Sequence, residues 1–224
     1  MSSSRAAISL ILCAIALALS APATAGARPP KDFVGVQDDY LITGDTDYFA
    51  TNLSAMAAIG VGTIRQPFLW RDIETASGTF DFSRYDGLVG NVAAHGIKLL
   101  GVVFGPPQTL MKRGPAGATC PPRSNARFAS FAAALARRYG SRGTYWREHP
   151  EVPRHPVTAW QIWNEPNLLP YWCGKPNARQ YVALLKATYP AVKAADPRAE
   201  IVTAGIPQSK LGIPLLTYLA QMYR

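Results

Sequence analysis

The chain is predicted to be an α/β protein built on a parallel sheet, and three features of its 224 residues lead there. Short apolar runs of strand type alternate with longer segments whose apolar residues recur at helical spacing. The strand-type runs are apolar on both faces, as in strands covered on each side by helices. The alternation continues from residue 32 to the end of the chain, giving five strand–helix pairs. Two architectures share this pattern: an open, doubly wound sheet and a (β/α)8 barrel.

The first strand is DFVGVQ, residues 32–37, and Phe49, Leu53, Met56 and Ala57 mark a helix after it. GVGTIRQPFLW, 60–70, is the second strand. SRYDGLVGNVAAHG, 83–96, follows as a helix with a capping-box pattern from Ser83 to Asp86 and a stop at Gly96. IKLLGVVFG, 97–105, is the third strand; a loop rich in Gly and Pro then runs to about Arg123. The third helix, 125–140, places Phe128, Phe131, Ala132, Leu135 and Tyr139 on one face and stops at Gly140. After a polar insertion come a fourth strand, VTAWQIWNE (157–165), and a fourth helix over 177–197, capped by Asn177 and kinked by Pro190. AEIVTAGI, 199–206, is the fifth strand, and LLTYLAQMYR, 215–224, begins a fifth helix.

Residues 1–25 read as a secretory signal peptide: Arg5, an apolar run from Ala6 to Leu19, then small residues at Ala23 and Ala25. The apolar run is shorter than the roughly 20 residues a membrane span needs, so a secreted protein free of the membrane is expected. Cys13 leaves with the signal, and the remaining Cys120 and Cys173 read as one disulfide in an oxidising compartment, two free thiols being the alternative. Cleavage removes one charged residue, Arg5, from a formal net charge of +9. The basic residues stand singly or in pairs, without the aromatic-interleaved clusters of a nucleic-acid surface, so no nucleic-acid partner is expected.

In parallel α/β folds the functional groups sit on loops leaving the C-terminal ends of the strands. Read in order, those ends carry Asp38 and Asp39; Arg65, Gln66 and Trp70; Phe104; Asn164 and Glu165; and Gln208. The open-sheet architecture would want a Gly-rich phosphate loop after the first strand, but DDYLITGD follows instead. His95, His149 and His155 fall in a helix end and in the insertion, so no metal or other cofactor is expected. No serine occupies a G-x-S-x-G elbow. Carboxylate chemistry is left. Glu165 stands in AWQIWNEPN, 159–167, where an acid among tryptophans must be paired, hydrogen-bonded or kept protonated by desolvation. An acid kept protonated in that way is the pattern of glycoside hydrolysis.

WQIWNEPN resembles the fourth-strand motif of clan A glycoside hydrolases, which are retaining (β/α)8 enzymes. IWNEPNLLPYW together with the upstream IRQPFLW is most similar to family 39, the β-xylosidase and exopolysaccharide hydrolase type, with families 5 and 42 as neighbours. The resemblance covers residues 33 to about 220 as a succession of strands and helices. It implies a TIM barrel of which residues 26–224 are the N-terminal part of the catalytic domain. It implies Glu165 as general acid/base, Asn164 on the sugar 2-hydroxyl and Arg65 as the arginine that holds the nucleophile. Both Asn164 and Glu165 reach one sugar only if the strand end twists or bulges. Trp70, Trp163, Tyr171 and Trp172 are the candidates for stacking on sugar rings, and Trp160 for packing under the helices. A Cys120–Cys173 bond would brace the rim formed by the loops after strands three and four.

In the family the nucleophile is a glutamate ending the seventh strand, whereas only five strands are read here. The chain is therefore expected to be a truncated barrel, poorly stable and nearly inactive, of a parent acting on β-linked polysaccharide or oligosaccharide. A non-catalytic carbohydrate-binding remnant is the alternative.

Overall fold

In the computed structural model, which describes residue 30, residues 33–42 and residues 46–224, five parallel strands make one sheet. The signal peptide expected over 1–25, with Cys13, lies outside the described residues. The strands are β1 (Gly35–Gln37), β2 (Thr63–Leu69), β3 (Lys98–Phe104), β4 (Ala159–Ile162) and β5 (Glu200–Thr203). The helices that follow the strands are α1 (Thr46–Ala58), α2 (Ser83–Ala94), α3 (Asn125–Tyr139), α4 (Ala178–Ala195) and α5 (Leu215–Met222), with short helical turns at Trp70–Ile73 and Tyr145–Glu148 besides. Spatial order equals chain order, β1 to β5. A doubly wound sheet reverses direction at a switch point; this one never does. The fold is that of a (β/α)8 barrel, of which five β/α units are present.

Burial alternates along β2. Ile64, Gln66 and Phe68 are buried, whereas Thr63, Arg65, Pro67 and Leu69 stay half exposed on the inner face. That face is filled in a closed barrel by layers of side chains from alternate strands, and here it remains accessible. Beneath the helices the packing is aromatic. Phe68 stacks on Tyr85 with centroids 4.9 Å apart and meets the Trp160 ring edge-on at 5.4 Å. Gly101, paired with Trp160 across the β3–β4 ladder, makes this possible, because a Cβ there would lie 2.5 Å from the Trp160 ring.

The expected face of α3 is buried throughout, and Ser124 caps that helix through a bond from the Arg127 amide at 3.3 Å. Asn177 caps α4 as expected, accepting from the Gln180 amide at 2.9 Å; the helix runs on through Pro190 to Ala195. The capping box at α2 does not form. Asp81 Oδ1 accepts the Ser83 amide instead, while Asp86 is taken up by Arg138, whose Nη2 lies 2.6 Å away, and by the Tyr139 hydroxyl at 2.8 Å. An ion pair across two helices outcompeted a local cap.

The insertion after α3 is anchored by Asp196, only 1 % exposed. Its carboxylate accepts the Ser141 amide at 2.6 Å, the Ser141 hydroxyl and the Arg198 amide at 3.1 Å. Between β2 and α2 the chain makes a small antiparallel hairpin, Glu74–Ala76 with Thr79–Phe80, turned by Gly78 at φ 79°. Glu74 pins it by accepting from the Gly78 amide at 2.7 Å, Arg127 at 2.6 Å and the Trp70 indole.

Candidate active site

The fourth strand ends three residues earlier than its apolar pattern suggests, and the cause is local. The Trp163 amide still donates to Val103 at 2.9 Å, but Trp163 has φ 74° and Glu165 φ 44°. Left-handed backbone costs a non-glycine residue about 1–2 kcal/mol. The surroundings hold it there. Gln161 Nε2 donates to the Trp163 carbonyl at 2.8 Å, and the Trp163 indole donates to the Tyr171 carbonyl at 2.9 Å. Downstream, the Leu168 amide bonds the Glu165 carbonyl at 2.9 Å, and buried Asn167 donates to the carbonyls of Pro207 and Ile213, both at 2.9 Å. The double kink is the departure from strand geometry that strict alternation required: it brings Asn164 round to the inner face, on the side of Arg65.

Arg65 is the hub. Its Nε donates to Gln161 Oε1 at 3.1 Å, its Nη2 to Asn164 Oδ1 at 2.7 Å and its Nη1 to Gln37 Oε1. One guanidinium thus ties β1, β2 and the β4 end through three side-chain amide oxygens and, among the described residues, makes no salt bridge. Burial lowers its pKa, opposed by the negative charges of Glu165 and Asp39 and by Tyr171. The Glu165 carboxylate is half-buried and has no hydrogen bond or salt bridge among the described residues. A structural ion pair, the ordinary explanation for an acid so placed, is thereby excluded within them.

Arg65, Asn164, Tyr171 and Phe104 line a cleft of about 290 Å3 with Gln37, Asp39, Leu69, Arg71, Asp72 and Arg84. Burial raises the Tyr171 pKa, and Glu165 and Asp39 push the same way; Arg65 and a hydrogen bond with Asn164 oppose them. Asp39 accepts from Gln37 Nε2 at 2.9 Å. A roomier cavity of about 400 Å3 lies at the other ends of the strands, lined by Lys98, Arg154, His155 and Glu200 among others. The cleft around Arg65 is the candidate site nonetheless, because barrel chemistry sits at the C-terminal ends of strands.

The sequence-predicted set divides. Arg65 and Asn164 come together and line the cleft, Glu165 acts on Arg65 through its charge but is not among the lining residues, and Cys120 is bonded to Cys173 with their Cα atoms 4.6 Å apart. Trp70, Trp163 and Trp172 are 1 %, 0 % and 2 % exposed and offer no ring face to the cleft. Trp70 stacks on Phe131 at 5.4 Å, and Trp163 and Trp172 meet edge-on at 5.4 Å. They form the floor beneath the site; Tyr171 and Phe104 are the aromatics that line the cleft. Gln66 faces outward and is fully buried, and Gln208 caps α5 through the Leu215 amide at 3.1 Å. Gln161, which strand alternation puts on the face of Glu165, and Gln37, which the sequence does not single out, complete the Arg65 network. Among the described residues no cluster of His, Cys, Asp and Glu could hold a metal ion.

Comparison with protein-family models and with curated proteins gives no match. Solved structures do match. A family 39 glycoside hydrolase from Bacteroides cellulosilyticus WH2 superposes with a TM-score of 0.53 at 21 % identity, over 79 % of this chain and 32 % of that one. The endo-1,4-β-mannanase of Rhizomucor miehei gives 0.55 at 16 % identity, over 75 % and 54 %. A β-galactosidase from the psychrophilic Marinomonas ef1 gives 0.56 at 15 %, over 76 % and 36 %. The chain thus spans about a third to a half of the length of these structures. At these identities the likeness is one of fold, and the fold is the barrel that these glycoside hydrolases share.

Proposed function

We propose that the chain is the N-terminal part of a secreted retaining glycoside hydrolase acting on β-linked polysaccharide or oligosaccharide. Glu165 is its general acid/base. The observation that carries this reading is a half-buried carboxylate that, among the described residues, has no hydrogen-bond or salt-bridge partner, just past the end of β4, beside Asn164 and in the field of Arg65. A carboxylate committed to no protein group is free to give a proton to a glycosidic oxygen and to take one from water afterwards. Asn164, whose Oδ1 accepts from Arg65 and whose amide is hydrogen-bonded to Tyr171, binds a sugar hydroxyl through its remaining N–H in this reading.

Retention needs a second carboxylate about 5–5.5 Å from the first. The cleft acids are Asp39, held by Gln37, and Asp72, and neither ends a strand. In this reading the nucleophile comes from outside residues 1–224, and Arg65 is the cation it meets. The glycoside hydrolases of the same fold support the reading.

A second reading, a sugar-binding protein without turnover, is favoured by the same shortage of acids. Glu165→Gln separates the two when aryl β-glycoside turnover and sugar affinity are measured together. A hydrolase loses turnover by about 10³-fold or more and keeps its affinity. A binder has no rate to lose, and unchanged turnover in the variant would remove Glu165 from the mechanism.

A further inference from the structure

We propose that the cleft selects a glycan bearing an oxyanion, a carboxylate or a sulfate ester, and that Arg71 and Arg84 recognise it. The proposal rests on the reading of the cleft as a sugar site, and it concerns one wall of that cleft.

Arg71 belongs to the short helix Trp70–Ile73 that follows β2, and Arg84 to the first turn of α2; both line the cleft. The guanidinium of Arg71, whose side chain is 49 % exposed, lies against Gly105. Its Nη1 lies 2.8 Å from the position a Cβ on Gly105 would take, so any larger residue at 105 would displace it. The Arg71 amide also donates to the Gly105 carbonyl at 2.9 Å, fixing that segment to the end of β3. The ion pair of Arg71 with neighbouring Asp72 is a long one, 3.7 Å from Nε and beyond hydrogen-bond range, so its N–H groups are not taken up by that carboxylate. Arg84 spends Nε on the Ile42 carbonyl at 2.9 Å, and among the described residues its terminal nitrogens have no acceptor.

Both side chains line the same cleft, and both charges, with that of Asp72, act on the Tyr85 hydroxyl, which also accepts the Leu69 amide at 2.9 Å. Two cations and one carboxylate share this wall, while Asp39 across the cleft is held by Gln37. Planar guanidinium groups bind carboxylate and sulfate oxygens in pairs of hydrogen bonds, which a neutral sugar hydroxyl cannot match. The formal net charge of +9 draws any anion to the surface, so the claim is local and its test must be local.

Binding of three β-linked disaccharides to the full 224-residue chain decides it, measured by calorimetry at one fixed ionic strength. The first is cellobiose, the second carries glucuronate as its non-reducing residue, and the third carries a 6-sulfate. At least one charged sugar is expected to bind roughly tenfold more tightly than cellobiose, and which one does so identifies the oxyanion. Arg71→Ala with Arg84→Ala should erase that preference, so that the charged sugars bind within about twofold of cellobiose in the variant. Arg147→Ala with Arg179→Ala, which removes the same charge from exposed positions elsewhere, should leave the preference in place. Equal affinity for all three sugars overturns the proposal while the sugar site stands. So does a preference that survives the cleft pair and falls with the distant pair. Failure of every disaccharide to bind overturns the sugar site and this inference together.

Discussion

Breaking the Cys120–Cys173 bond is expected to cost about 4 kcal/mol of stability at 25 °C. The two cysteines are 53 residues apart, and the loop they close contains α3 and β4. For a loop of that size the chain-entropy relation gives about 14 cal/mol/K in the unfolded state, hence about 4 kcal/mol. Local packing adds to this, since a Cβ on Gly114 would lie 2.4 Å and 2.6 Å from the two sulfurs, so the loop after β3 rests directly on the bond. The Thr119 amide's bond to the Pro170 carbonyl at 2.7 Å is then left as a tie between the same two loops. The perturbation is Cys120→Ala with Cys173→Ser, compared with the oxidised chain by urea unfolding. With a slope of about 2 kcal/mol/M the midpoint should fall by about 2 M. A fall below roughly 0.5 M, on the same relation, or two titratable thiols in the native chain, would refute the reasoning.

Three further outcomes are expected. Gly101→Ala, forced against the Trp160 ring, should lower stability by about 3 kcal/mol in thermal unfolding, and a loss under about 1 kcal/mol would mean that the ring moves aside easily. Asp196→Asn should destabilise the chain by about 2 kcal/mol at pH 7. Burial works against the Asp196 charge, but hydrogen bonds from Ser141 and Arg198 outweigh it and lower the pKa. Its contribution is therefore present above the ordinary carboxyl value of 3.8 and is lost as pH falls below it, so the wild-type and variant curves should converge there; parallel curves would exclude the assignment. Glu165→Gly should raise stability by about 1 kcal/mol by removing a side chain from φ 44°, a gain that denaturant titration would detect and that a strain-free backbone would not give.

How far the sequence discloses this molecule depends on the range of the interaction concerned. The five strands, five helices and their order follow from periodicity, and the caps at Asn177 and the stop at Gly96 follow from local chemistry. Where a distant partner competes, local rules fail. Asp86 leaves its capping box for Arg138, and Trp70 leaves the cleft because its indole bonds Glu74 and its ring stacks on Phe131. The motif brought Arg65, Asn164 and Glu165 to attention, but not the means by which they meet. That depends on two left-handed residues whose cost is offset by Gln161, Tyr171 and Asn167, and no propensity assigns a tryptophan to such a conformation. Tryptophan also misleads as a marker of sugar contact, because a large ring next to a cleft serves equally well as its foundation.

Arg65 is immobilised by neutral dipoles, and immobilisation of that kind leaves its charge undischarged. Since guanidinium stays protonated in proteins, the cleft floor presents a constant positive point whatever the acidity of the medium. Amide oxygens hold that point in place, and among the described residues no salt bridge ties it, so an anion entering the cleft need break none there. Anchorage and charge thus reside in one residue, whose position three side-chain amides fix.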